Sequence, residues 1–259
     1  SEKYGHADFK WGGGMEHQTL SSMGSSSQNL IVHELGHSWW GNLITCKTFN
    51  DIWLNEGFAR YCQALWVEHI NGKEAYFSFM NDYAYYGDGT IYVENPSSNS
   101  QIFNSNLSYN KASWVLHMLR RKVGDDTFFE ILKSYASNDT LAYNAASTAD
   151  FQKISEDISD QNLELFFQQW IYEEGYPKYE MSWWHDGNAT YKVKIDQIQS
   201  GGLFSMPIDL NFSGSIGPLL IDTIIVVENN SLNHLYEISG LNFIVENVTL
   251  DPNNWILKE

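Results

Sequence analysis

The chain has 259 residues, with 32 acidic side chains against 15 basic ones and a formal net charge of −17. A surplus of that size argues against phosphate backbones and anionic membranes as partners, and most of it reads as a solvated acidic surface that keeps the protein soluble. The length allows one large domain or two unequal ones, and no run approaches the roughly 18 apolar residues of a membrane span.

Residues 1–20 contain no apolar core of a secretory signal. The first predicted helix covers about 25–42, opened by a capping box at Ser25-Ser26-Ser27-Gln28 and closed at Gly41-Asn42. It contains His33-Glu34-Leu35-Gly36-His37. Two histidines four apart lie one above the other on a helix, so both imidazoles reach a single ion while Glu34 projects beside them. Ile31, Leu35 and Trp39 form the face expected to pack on a core; His33, His37 and Trp40 form the face expected to line a cleft.

A second helix is predicted over about 51–70 and carries Glu56 in Trp53-Leu54-Asn55-Glu56-Gly57, with eighteen residues separating it from His37. Glu56 shares its stripe with Ile52, Ala59, Trp66 and Ile70, which turns its carboxylate toward the apolar side. A buried unpaired carboxylate is costly, and a metal ion removes the cost. His33, His37 and Glu56 are the His₂Glu set of catalytic zinc, one Zn²⁺ with its fourth position open, and Glu34 is placed as the general base. Residues 38–43 lack the third histidine of the metzincin pattern, and the inverted His-x-x-Glu-His order is absent. Cys46 and Cys62 are too few for a disulfide framework and form no C-x-x-C pair, so each reads as a small buried residue.

Further helices are expected at about 73–86, 110–123, 125–137, 148–158 and 161–173, with Gly72, Gly87, Gly124 and Gly175 as stops. Between them, the Asn- and Ser-rich segment 95–108 reads as a surface loop. Near Pro177 the helical period gives way to alternation, with strands at about 178–184, 191–195, 206–212, 220–227, 233–238 and 243–250 among seven or so. The predicted class is α+β: a mainly helical domain over 1–176, then a small β-sandwich over 177–259. Six Asn-x-Ser/Thr sequons, at Asn106, Asn138, Asn188, Asn211, Asn229 and Asn247, are no more than an Asn- and Ser-rich chain yields by chance.

With these residues in hand, the chain resembles the zinc aminopeptidases of the aminopeptidase N family. Gly13-Gly14-Met15-Glu16-His17, after Asp8-Phe9, is similar to the family's Gly-x-Met-Glu-Asn exopeptidase motif. His33 to Asn42 is close to its zinc helix, Trp53 to Ala59 reproduces the block of the third ligand, and Tyr109-Asn110-Lys111-Ala112 resembles its Tyr-x-Lys-Gly segment. Trp170 to Pro177 resembles the exit from the catalytic domain. The resemblance implies a thermolysin-like catalytic domain acting on peptides with a free N-terminus. It implies that Gly13, Gly14 and Glu16 meet the substrate, with Glu16 on its α-amino group, and that Tyr109 donates to the tetrahedral oxyanion.

His17 stands where the family has Asn, and Ala112 where it has Gly. Family members carry an upstream β-domain, which supplies a second contact to the substrate amine, and catalytic-domain strands ahead of the Gly-rich motif. The chain therefore reads as part of a longer enzyme, with its own N-terminal domain as a partner. Its general appearance, and no signal, points to an exported protein. A thermolysin-type endopeptidase shares the ligands but has no use for an amine anchor. A non-catalytic zinc- or peptide-binding fragment has no use for Glu34 or Tyr109.

Overall fold

Helices dominate the first two thirds of the chain and strands the remainder, in two units that span Ser1–Glu174 and Gly175–Glu259. The computed structural model describes residues 3–187 and 190–259, so the Asn188 sequon lies outside the described residues. No helix among them is long and apolar enough to cross a membrane.

The first unit opens on a small sheet of β1 (Gly5–Asp8), β2 (Gly14–Met15) and β3 (Leu20–Met23). Strand β3 is central, parallel to β1 and antiparallel to β2. The glycine run between β1 and β2 is held in place: Gly24 N–H donates to the Gly13 carbonyl at 2.9 Å, and a Cβ on Gly24 would stand 2.0 Å from the Trp11 carbonyl oxygen.

Helix α1 covers Gln28–Gly36, shorter at both ends than expected. Its cap is Ser27, whose hydroxyl accepts the Leu30 N–H, while the Ser25 hydroxyl donates to Ser27 instead of capping. After Gly36 the chain turns, reaches φ +142° at Gly41, and lays Trp40 on the core, stacked on Tyr135 at 5.6 Å. The face of α1 expected to line a cleft does so through His33 and His37, but the stripe expected to pack on the core does not. Leu35 and Trp39 are exposed, whereas Glu34, His37 and Trp40 are buried. The cause is Gly36, which lies against Ala59 and Cys62 and turns the polar face toward the next helix.

Strand β4 (Ile44–Cys46) and a 3₁₀ turn at Phe49–Asp51 lead into α2, Trp53–Asn71. Ile52, Glu56 and Ala59 of its expected stripe are buried, but Ile70 is exposed at the helix end. Cys46 and Cys62 are free and half-buried rather than fully buried. Next come α3 (Lys73–Asp82) and α4 (Asn99–Ile102), then a π-helical turn, Ser105–Lys111, which runs directly into α5, Ala112–Val123. The segment expected as a loop is thus partly helical: Asn104 caps Asn106 and Leu107 through its side-chain oxygen, and the Ser108 hydroxyl donates to the Ile102 carbonyl. A Cβ on Gly57 would meet that of Ala112 at 2.6 Å, so α2 and α5 approach as closely as glycine permits.

Helix α6 (Asp125–Ala136), β5 (Asn144–Ala146, parallel to β4), α7 (Thr148–Ser159) and α8 (Glu164–Phe167) complete the unit, with a second π-helical turn at Gln168–Tyr172. Trp53, Phe58, Tyr135 and Phe151 form its aromatic core, with ring centroids 5.0–5.9 Å apart for Phe58–Phe151, Tyr135–Phe151, Trp53–Phe58 and Phe58–Tyr135.

The second unit holds six strands among the described residues, where seven or so were expected: β6 (Tyr179–His185), β7 (Thr190–Gln197), β8 (Met206–Ile216), β9 (Leu219–Asn229), β10 (Asn233–Ser239) and β11 (Ile244–Leu250). They form two antiparallel sheets, ordered β10-β7-β6 and β11-β8-β9. Tyr191, Val193 and Ile195 of one and Ile208, Leu210 and Phe212 of the other are buried. Tyr191 links the sheets, its hydroxyl accepting the Val245 N–H at 3.1 Å.

Helices α2 and α5 are also tied by charge. The Arg120 guanidinium, 3% exposed, donates two hydrogen bonds to Glu68 and two to Asp125. Removing one partner of a buried ion pair costs about 3–5 kcal/mol. Arg120→Met is expected to lower unfolding stability by about 3 kcal/mol, the smaller end because Asp125 is partly solvated, as read from the denaturant midpoint at unchanged m.

Candidate active site

His33 and His37 come from α1 and Glu56 from the first turns of α2, and the docking of the two helices brings the three together. The two Nε2 atoms are 3.2 Å apart, and each lies 3.3 Å from Glu56 Oε2. Donors around a tetrahedral zinc ion at its usual bond lengths of about 2.0–2.1 Å stand about 3.3–3.4 Å apart, so the triangle fits that ion. His37 Nδ1–H donates to the Trp40 carbonyl at 2.9 Å, which fixes the tautomer and leaves Nε2 for a metal. The turn after α1 therefore orients His37 as well as packing the core.

Charge binds the imidazoles and the carboxylate to one another. Burial by itself would lower His37, but the Glu56 carboxylate overrides it and holds the ring up at about 9. Burial likewise works to raise Glu56, and the two imidazoles outweigh it and hold it at about 2. Burial keeps His33 below its ordinary value against the opposing pull of Glu56. A cation is the natural occupant of such a site.

Glu34 sits beside this triangle, 3% exposed, with Oε2 buried and unbonded among the described residues. Burial pushes its carboxyl up to about 7, with Glu16 and Glu56 adding to the rise and His37 opposing it. Gly14 is what admits it: a Cβ there would lie 2.1 Å from Glu34 Oε1. Glu16, one of the two residues following β2's Gly14–Met15, brings a carboxylate oxygen within 4.8 Å of ligand atoms on both Glu34 and His37. Its backbone is held by Asn42, whose side-chain amide donates to the Glu16 carbonyl at 2.8 Å.

Tyr109 projects from the first π-helical turn. Its ring stacks on His33 with centroids 6.0 Å apart, and burial together with the neighbouring Glu56 carboxylate raises its hydroxyl. Gly13, Gly14, Glu16, His33, Glu34, His37, Glu56 and Tyr109 all line one cavity of about 340 Å³. Every site residue expected from the sequence is in that wall.

Sequence reasoning missed Arg60 and Gln63, which line the same cavity. The Arg60 guanidinium donates to the Gln63 side-chain oxygen at 2.9 Å and lies over the Tyr83 ring, while Gln63 donates to the Asn29 carbonyl, joining α2 to the start of α1. The signal was available, since positions four and seven after Glu56 share its helix face.

A His₂Glu triangle flanked by a second glutamate, whose Oε2 is unbonded among the described residues, in a polar cavity is the arrangement of a metallopeptidase site. The family model for the peptidase family M1 domain matches residues 15–170, and the chain belongs to that family. It is 29% identical over 200 residues to aminopeptidase N of Lactococcus lactis subsp. lactis, covering 71% of this chain and 23% of that protein. It is 30% identical over 227 residues to aminopeptidase M1-B of Oryza sativa subsp. japonica, covering 80% of this chain and 25% of that protein. The chain thus spans about a quarter of the length of these curated relatives.

Among solved structures, aminopeptidase A of Legionella pneumophila, in complex with aspartic acid, aligns with 98% of this chain and 31% of its own at a TM-score of 0.84 and 15% identity, a likeness of fold. The M1 zinc metallopeptidase of Deinococcus radiodurans aligns with 65% of this chain and 38% of its own, at 0.56 and 26% identity.

Because Glu56 is the anionic corner of the triangle, Glu56→Gln is expected to reduce bound zinc to well below half of what the unaltered chain takes up. Metal analysis after equilibrium dialysis checks this; retention of a full equivalent would remove Glu56 from the ligand set.

Proposed function

We propose that this chain carries the catalytic centre of a zinc-dependent aminopeptidase that hydrolyses the N-terminal bond of peptides. The observation that carries the reading is the placement of two carboxylates, Glu34 and Glu16, within 4.8 Å of one another beside the His37 imidazole. One is suited to move a proton and the other to bind an ammonium. In the finer reading, residues 1–176 are a thermolysin-like catalytic domain and 177–259 a β-sandwich, within a longer enzyme whose upstream domain completes the substrate site.

His33, His37 and Glu56 hold one zinc ion, which when bound supplies a Lewis acid that acidifies water and polarises a carbonyl group. Glu34 takes the proton of the attacking water and returns it to the leaving amine. Tyr109 donates its hydroxyl hydrogen to the oxygen that gains charge at the scissile carbon. Glu16 accepts the substrate's α-ammonium, which sets the cut one residue from the N-terminus. Gly13 and Gly14 leave the space along the β2 side that a side chain would fill.

Replacing Glu34 with Gln should leave zinc content unchanged and reduce turnover by about 10²–10⁴-fold. A Glu34→Gln enzyme with near wild-type turnover would remove Glu34 as the base. A second comparison separates the aminopeptidase from an endopeptidase. An aminoacyl amide with a free amine is expected to be cleaved and its N-acetylated twin left intact; hydrolysis of the blocked compound at a similar rate would overturn the exopeptidase reading.

A further inference from the structure

Lys111 is fully buried, and the proposed reaction gives it nothing to do. Burial pulls its ammonium down to about 8, with Glu174 and Asp88 opposing. A methionine would fill the same volume without that cost, so what its charge holds is the question.

Its Nζ lies 3.4 Å from the carbonyl oxygen of Gly89, and the N–H of Gly89 donates to Glu174 Oε2 at 3.1 Å. Both backbone groups of this glycine are therefore gripped, one from the turn that carries Tyr109 and one from the chain just beyond the second π-helical turn. A third contact converges on the same point. Gly89 has φ +102°, and a Cβ there would stand 2.8 Å from Leu107 Cδ1, so the loop packs on Leu107 at glycine distance. Leu107 and Lys111 are four apart on one helical turn and share a side of it, and that side meets the Gly89 loop. Tyr109, midway between them, lines the cavity.

We infer that Lys111 is a positioning residue: with Leu107 it clamps the π-helical turn to the Gly89 loop, and the clamp fixes where the Tyr109 hydroxyl stands relative to His33, His37 and Glu56. The inference rests on the role proposed for Tyr109. A displacement of about 1 Å at a reacting group costs about 10²-fold in rate, so a loosened turn is felt in turnover although Lys111 touches no substrate.

The test uses the full-length enzyme and a double-mutant cycle. Lys111→Met is expected to lower kcat about 10- to 100-fold with KM within about twofold and zinc content unchanged. Affinity for a phosphinic pseudodipeptide, tetrahedral at the reacting centre, should fall by a similar factor. In a Tyr109→Phe background, Lys111→Met should cost nothing further, because the hydroxyl it positions is gone. Losses that multiply across the two variants, a loss carried by KM, or wild-type kcat in Lys111→Met would each overturn the clamp.

Should Lys111→Met fail to fold, Glu174→Gln, which alters an exposed carboxylate, takes its place with an expected loss of about two- to fivefold, again abolished by Tyr109→Phe. Absence of that coupling overturns the clamp equally. Full turnover in Tyr109→Phe alone would fail the proposed reaction itself, and the clamp with it. That outcome differs from an active-site tyrosine that matters and a lysine that does not.

Discussion

A carboxylate buried between two imidazoles is the interaction on which the helical unit depends. Glu56 is 8% exposed and has no solvent to fall back on, so α1 must dock where both histidines can reach it. The rest of the local architecture follows. Helix α1 turns its Gly36 side to α2, where a Cβ would stand only 3.2 Å from Cys62. The chain then leaves the helix early enough for the Trp40 carbonyl to accept from His37. Helix α2 is in turn held to α5 at both ends of their contact, by the glycine approach at Gly57 and by the Glu68–Arg120 ion pair.

How much of this was legible in the sequence depends on which physical signal each residue obeys. The triangle of His33, His37 and Glu56, with Glu34 beside it, was readable because metal chemistry fixes residue types and spacing before any packing is known. The strands after Pro177 were readable because a sheet with one buried face must alternate. The packing of the apolar stripe of α1 was not. Ile31, Leu35 and Trp39 look like a core stripe by period, yet Leu35 and Trp39 are exposed and the polar residues are inside. Periodicity counts apolar surface and is blind to a buried donor set, which can outweigh two or three side chains of transfer free energy.

The π-helical turn at Ser105–Lys111 was hidden for a related reason. Asn, Ser and Leu over 104–108 read as loop because these polar side chains compete with backbone hydrogen bonds. Here they do so in order to shape a helical turn: Asn104 caps it, and Ser108 ties it to Ile102. Wide turns of this kind cluster at functional sites, where a side chain must be set at an angle that a regular helix does not offer. Gly14 was legible only as part of a motif. Its reason, a carboxylate oxygen 2.1 Å from where a Cβ would stand, is a tertiary contact that no local pattern encodes.

The charge of the cavity gives the proposed chemistry its direction. Glu16, Glu34 and Glu56 face a space of about 340 Å³ in a chain that is already strongly acidic. Three carboxylates at such range repel one another well beyond what water would screen, since field lines run through a partly desolvated volume. In the proposed complex one divalent ion and one substrate ammonium offset them in number. A peptide with a blocked amine brings no such charge and leaves Glu16 desolvated without a partner. On the proposed reading, selection for a free N-terminus would need no shape filter at the amine: burial, which raises Glu34 with Glu16 and Glu56 adding to it, also penalises an occupant that arrives without a cation.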